Sequence, residues 1–157
     1  MTTTEATAPP VDDATAAYIF ENRRCFEDLK QVASQLAGLL VLAASGSKEA
    51  LPDHPMLDAA QRMFREADDA LRRARPTRRA QPHHWHLMNA AGSIGRALNA
   101  AHRNLRPQGG GLEIDPILIP LRAGYAELEQ AARALPGFQM VSYESACCAQ
   151  PHMRQTQ

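Results

Sequence analysis

The amino-acid sequence predicts an all-α fold in which four helices form a single bundle in up-down-up-down order. Three observations support this prediction. Apolar residues recur at alternating spacings of three and four along four segments, alanine supplies much of the 45% hydrophobic content, and proline or glycine separates the segments. Such spacings place apolar side chains on one face of a helix. Alanine favours helices, and short connections favour antiparallel neighbours.

The first helix is expected at residues 13–44. Asp12 or Asp13 can accept hydrogen bonds from the free N–H groups at its start, and Gly46 can end it. The predicted core-facing stripe consists of Tyr18, Cys25, Leu29, Val32, Leu36, Leu39 and Ala43, with Asn22 as a polar exception. A cysteine on such a stripe behaves as a small apolar residue, so we expect Cys25 to be buried.

The other three helices are expected at residues 55–75, 82–106 and 116–135. Proline stands near the start of each, where its missing N–H has no partner to lose, and another proline follows each end. The fourth helix has two candidate starts, Asp115-Pro116 and Pro120. Close approach between helices is expected at the small residues of their inner faces, which are Gly38, Gly92, Gly95 and Gly124.

The 157 residues have the size of one ordinary domain. We expect residues 1–11 to form a disordered tail, residues 12–137 the helical bundle and residues 138–157 an irregular C-terminal tail. The first tail is polar and contains two adjacent prolines, which oppose regular structure. The second begins with an apolar patch near Phe138 that is too short for a helix of its own.

The sequence predicts a cytoplasmic protein without a membrane partner. Its most apolar run, residues 36–44, is about half the ~20 residues that a membrane helix requires. The N-terminus lacks the basic and apolar regions of a secretory signal. Three cysteines, an odd number, do not form a disulfide framework, so we expect a reducing compartment.

Charge is unevenly distributed along the chain although the formal net charge is zero. Residues 1–69 carry a net charge of −6, residues 70–106 carry +8 without a single acid, and residues 107–157 carry −2. The densest basic run consists of Arg72, Arg73, Arg75, Arg78 and Arg79. This run predicts an anion-binding end of the bundle. The alternative is that the basic segment pairs with the acidic first helix and the run is a solvated loop.

Nucleic acid is not an expected partner. Trp85 is the only tryptophan, and no aromatic side chains alternate with the arginines to stack on the bases of a single strand. A sequence pI of about 7.0 also differs from the basic pI of dedicated nucleic-acid-binding domains.

Two sets of residues could hold a soft metal ion, copper or zinc. Cys147, Cys148, His152 and Met153 offer thiolate, imidazole and thioether ligands near the C-terminus. His83 and His86 stand three residues apart at the start of the third helix, on one face. The alternatives are a vicinal disulfide or plain thiols in a tail, and a polar helix start that Trp85 anchors to the bundle.

No arrangement of residues in the sequence predicts catalysis. No glutamate has a histidine three residues later, as a di-iron bundle requires, and no cysteine or serine is grouped with histidine and a carboxylate. The sequence therefore favours a non-enzymatic helical-bundle protein with a regulatory or structural role, which acts through contact with a protein partner or with itself as a homodimer. The alternatives are metal binding by the cysteine tail and anion recognition by the arginine run.

Overall fold

The computed structural model describes residues 10–46, 55–105 and 113–140. These residues form four helices and no strand: α1 (Asp13–Ala44), α2 (Pro55–Arg73), α3 (Gln81–Asn104) and α4 (Asp115–Ala134). The all-α prediction is confirmed, and every helix begins and ends within two residues of its predicted position. The helix contacts are consistent with a bundle, and α3 and α4 form the most extensive pair. The up-down-up-down order, the division into tails and bundle, and the structure of both tails stay predictions.

The ends of α1 are determined by local chemistry. The Asp12 carboxylate accepts a hydrogen bond from the Thr15 N–H at 2.8 Å, and this bond lowers the pKa of Asp12 below its ordinary value. The Thr15 hydroxyl lies 2.7 Å from the Thr77 hydroxyl, which connects the start of α1 to the segment before α3. Gly46 follows α1 with a φ of 92°, a conformation that glycine adopts without steric cost.

The core is formed by the predicted faces of the helices. All seven apolar residues of the predicted core-facing stripe of the first helix are buried, and the buried Cys25 confirms the expectation for that thiol. Asn22 is also buried, and its side-chain amide donates to the Tyr18 carbonyl oxygen at 2.9 Å, which satisfies the polar exception. The largest fully buried side chains include Phe26, Leu29, Leu36, Leu98, Ile117 and Leu128.

Two of the four glycines lie where helices approach closely. A Cβ at Gly124 would be 2.8 Å from Cγ1 of Ile94, and a Cβ at Gly95 would be 2.9 Å from Cζ of Phe64. The prediction was wrong for Gly38, where a Cβ would meet nothing within 4 Å, and for Gly92, which is exposed. These two glycines do not lie at a contact between described helices.

Among the described residues, electrostatic pairing of the basic segment 70–106 with the acidic first helix is seen at Arg79, whose charge helps to lower the pKa of Asp12. Neither arginine of α3 is paired with an acid of α1: Arg96 donates to the Ser93 hydroxyl at 2.9 Å, and Arg103 bonds to no described residue. Asp28 and Glu27 of α1 instead pair within α1, with Arg24 and Lys30, and Arg24 also contacts Glu66 on α2. Pro120 lies inside α4, so that helix starts at Asp115.

Candidate functional site

A buried histidine lies at the start of α3. His83 has no exposed surface, and its Nδ1 lies 3.2 Å from the hydroxyl oxygen of Tyr18 on α1. The same hydroxyl lies 3.2 Å from Nδ1 of His84. A hydroxyl has one hydrogen, so Tyr18 donates to one imidazole and accepts from the other. The ring of Phe138, which follows α4, covers His83 with a centroid distance of 4.0 Å.

Burial keeps His83 neutral. Removal from water is the main cause that lowers its pKa to about 4, and the neighbouring His84 and His86 contribute to this shift. Burial likewise lowers the pKa of His84 and raises that of Tyr18. Nε2 of His83 is buried and has no hydrogen-bond partner among the described residues. The neutral imidazole of His83 on α3 therefore contacts both Tyr18 on α1 and Phe138 in the segment after α4.

The histidines proposed as metal ligands have separate partners. His83 contacts Tyr18 on α1, whereas Nδ1 of His86 lies 2.7 Å from Oε2 of Glu127 on α4. The described residues contain no group of three or more histidine, cysteine or acidic side chains that could hold a metal ion. The expectation that Trp85 anchors this helix start was wrong, because Trp85 is 59% exposed and His83 is buried instead. Metal binding by His83 and His86 stays a prediction.

The C-terminal candidates for copper or zinc lie outside the described residues. They are Cys147, Cys148, His152 and Met153. Their role as ligands stays a prediction.

Two side chains of the arginine run are hydrogen-bonded to other residues of the protein. Arg72 donates to the Asp68 carboxylate at 2.8 Å, and Arg79 donates to the Pro10 carbonyl oxygen at 2.9 Å. The remaining three, Arg73, Arg75 and Arg78, are exposed. Anion binding by this run stays a prediction, and its free donors belong mainly to those three side chains.

A groove of about 610 Å³ lies between α1 and α4. Its lining is mostly apolar, and it includes Ala33, Ala37, Leu118, Leu121, Tyr125 and Ala126. Its charged lining residues are Arg122 and Glu129, both on α4.

Beside this groove, α1 carries no charged side chain from Gln31 to its end at Ala44. The exposed residues Ser34, Ala37, Val41 and Ala44 follow one another at spacings of three and four, and we name them the α1 stripe. Residues 31–46 contain no charged side chain. The stripe was missed by sequence reasoning although its signal, this uncharged run, is visible in the sequence. Within residues 10–46, 55–105 and 113–140, none of the helices has an apolar stretch sufficient to span a bilayer.

Comparison with known proteins adds no relative. No family model, curated protein or solved structure matches the chain. The fold and surface themselves define the class: an all-α helical bundle with a buried histidine and a mostly apolar groove on its outer face.

Proposed function

We propose that this protein is a non-enzymatic helical bundle that acts through protein–protein contact, and that its partner at the groove is a second copy of the chain. The observation that carries the proposal is the exposed, uncharged α1 stripe beside the apolar groove between α1 and α4. The solvent face of a bundle helix ordinarily carries charged and polar side chains. Exposed apolar patches mark interaction surfaces.

The spacing of the α1 stripe supports a helix as its occupant. Residues three and four apart lie on one helix face, and a facing helix packs its side chains between them. Val41 is 69% exposed on this face, whereas Ala37 and Ser34 are small enough to let a second backbone come close. The α1 stripe therefore combines one protruding side chain, that of Val41, with a flat region at Ala37 and Ser34.

This combination is self-complementary. In a twofold dimer, two α1 helices would cross antiparallel near Ala37, and Val41 of each copy would enter the groove of the other beside Ser34. Arg122 and Glu129 lie seven residues apart, on the same side of α4. A twofold axis between them would bring Arg122 of one copy to Glu129 of the other.

The test is the molecular mass of the full chain in solution. Sedimentation equilibrium across a wide range of concentration should show a dimer, and Ala37→Glu should produce a monomer because the axis would bring two glutamates together. Ala17→Glu is the matched control, since Ala17 is an exposed alanine of the same helix outside the stripe. A wild-type chain that stays monomeric, or a dimer that Ala37→Glu leaves intact, would refute the proposal.

A charge exchange tests the arrangement within the dimer. Arg122→Glu and Glu129→Arg should each weaken the dimer, because each places like charges opposite one another. The double variant restores the opposite charges and should dimerise like the wild type. A double variant that is weaker than both single variants would exclude the proposed axis.

A further inference from the structure

A second groove, of about 600 Å³, lies between α2 and α3 and has a different character. Three arginines line it, Arg62 and Arg65 on α2 and Arg103 on α3. Two side-chain amides, Gln61 and Asn99, add neutral donors, and His102 and Asp58 complete the lining. With His102 counted as neutral, the lining side chains carry a net charge of +2. None of these residues belongs to the arginine run at the other end of α2.

The arginines of this groove lack protein partners. Arg62, Arg65 and Arg103 make no hydrogen bond or ion pair with any residue in the described ranges. Arg24 and Arg72, by contrast, are both bound to carboxylates. Three unpaired guanidinium groups around one concavity repel each other, and a single anion would satisfy all three.

We infer that this groove binds a phosphate group carried by a ligand that also has an apolar part. Guanidinium groups bind phosphate oxygens through two parallel hydrogen bonds, a geometry that lysine lacks. A phosphate monoester carries a charge of about −1.5 to −2 at pH 7, which balances the +2 of the lining, whereas a carboxylate carries half of that. The volume also lies within the ~300–1,000 Å³ of small-molecule sites.

The apolar part of the ligand is inferred from the neighbouring surface. Asn99 and Arg103 also line a groove of about 510 Å³ between α3 and α4. Its other wall is largely apolar and includes Pro116, Ile119 and Pro120, and Ile119 is 66% exposed. A phosphate held by Arg103 would therefore lie beside a surface suited to a hydrocarbon chain or a ring. Such a ligand is either a soluble phosphorylated metabolite or the headgroup of a lipid.

Calorimetric titration of the full chain with octyl phosphate and with inorganic phosphate tests the site. Octyl phosphate should bind more tightly, because its chain removes apolar surface from water. Replacing Arg62, Arg65 and Arg103 together by glutamine should weaken octyl phosphate binding by at least about tenfold, since hydrogen bonds to charged groups are the strong ones.

The matched control removes the same charge elsewhere. In this control, glutamine replaces Arg73, Arg75 and Arg78, which are all exposed on the arginine run. The affinity for octyl phosphate should change by less than about twofold, because salt screens exposed charges that are separated by more than a Debye length of ~10 Å. Equal losses in both variants would show general charge attraction, and a loss in the control alone would place the site on the arginine run. Either result overturns the inference. A wild-type chain that binds neither octyl phosphate nor inorganic phosphate also overturns it. So does a wild-type chain that binds octanoate, the matching carboxylate, as tightly as octyl phosphate.

Two further measurements complete the test. Circular dichroism of both triple variants should match the wild type, because the substituted side chains do not form the core. Co-sedimentation with phosphatidylcholine vesicles, with and without phosphatidic acid, identifies the source of the phosphate. Binding that requires phosphatidic acid indicates a lipid headgroup. Octyl phosphate binding without vesicle binding indicates a soluble metabolite, and both results support the site.

Discussion

The contact between α3 and α4 at Gly124 can be tested by adding a single methyl group. A Cβ at this position would lie 2.8 Å from Cγ1 of Ile94, 3.3 Å from its backbone nitrogen and 3.4 Å from the carbonyl oxygen of Ala90. Ile94 is fully buried and two of these atoms belong to the α3 backbone, so the helices must separate to admit the methyl group.

The expected magnitude is a balance of two effects. Overpacking a well-packed core costs about 1–3 kcal/mol, and here the backbone contact favours the upper part of that range. Alanine is about 1 kcal/mol more favourable than glycine inside a helix. Gly124→Ala should therefore lower the free energy of unfolding by about 1–2 kcal/mol, the difference between these terms.

Gly92→Ala is the matched control. Gly92 is exposed on α3, and a Cβ there would have only Nη1 of Arg96 nearby, at an ordinary 3.8 Å. The helix preference then acts alone and should raise the free energy of unfolding by about 0.5–1 kcal/mol. Urea unfolding followed by circular dichroism measures both variants. The proposed contact between α3 and α4 is refuted if Gly124→Ala stabilises the protein as much as Gly92→Ala does.

Three further predictions concern buried side chains. Leu36→Ala should lower the free energy of unfolding by ~2–5 kcal/mol, because Leu36 is almost fully buried, and a loss below ~0.5 kcal/mol in urea unfolding would contradict its place in the core. The pKa of His83 falls from 6.5 to about 4 on folding, so the unfolded chain binds more protons between these pH values. A contribution of about 3 kcal/mol to the free energy of unfolding is therefore complete above pH 6.5 and is lost as the pH falls to about 4. His83→Gln should flatten this part of the pH dependence of unfolding. Tyr18→Phe should preserve it, because burial is the main cause of the low His83 pKa. A His83→Gln variant with the same slope as the wild type would contradict the assignment of this pH dependence to His83. Burial raises the pKa of the Cys25 thiol, so alkylation followed by peptide mass spectrometry should label Cys25 only after unfolding. Rapid labelling of Cys25 in the native protein would oppose its burial.

The helices could be predicted from the sequence because their signals are local. The spacing of apolar residues along α1 and the carboxylate of Asp12 lie within a few residues of the structure that they determine. The orientation of the first turn of α3 could not be predicted in this way. His83 and Trp85 are two residues apart, and the choice of the buried one depends on Tyr18, 65 residues away in the sequence.

The candidate surfaces show the same limit. Gly92 and Gly124 are identical residues inside helices, yet only Gly124 meets another backbone, since contact depends on which helix faces it. The uncharged run 31–46 is visible in the sequence, but the exposure of Ala37 is not, because the core and the α1 stripe are adjacent on one helix. The α2–α3 groove joins arginines that lie far apart along the chain, so no local pattern predicts it.

The contacts of Phe138 have a consequence for the order of folding during synthesis. Its ring lies 4.0 Å from that of His83 and 5.2 Å from that of Phe26, measured between centroids, so it covers parts of both α1 and α3. A nascent chain that has released α1 to α4 from the ribosome still lacks this cover. Until Phe138 follows, water reaches His83 and its imidazole regains the ability to hold a proton. The bundle is therefore completed by a residue that lies outside its four helices.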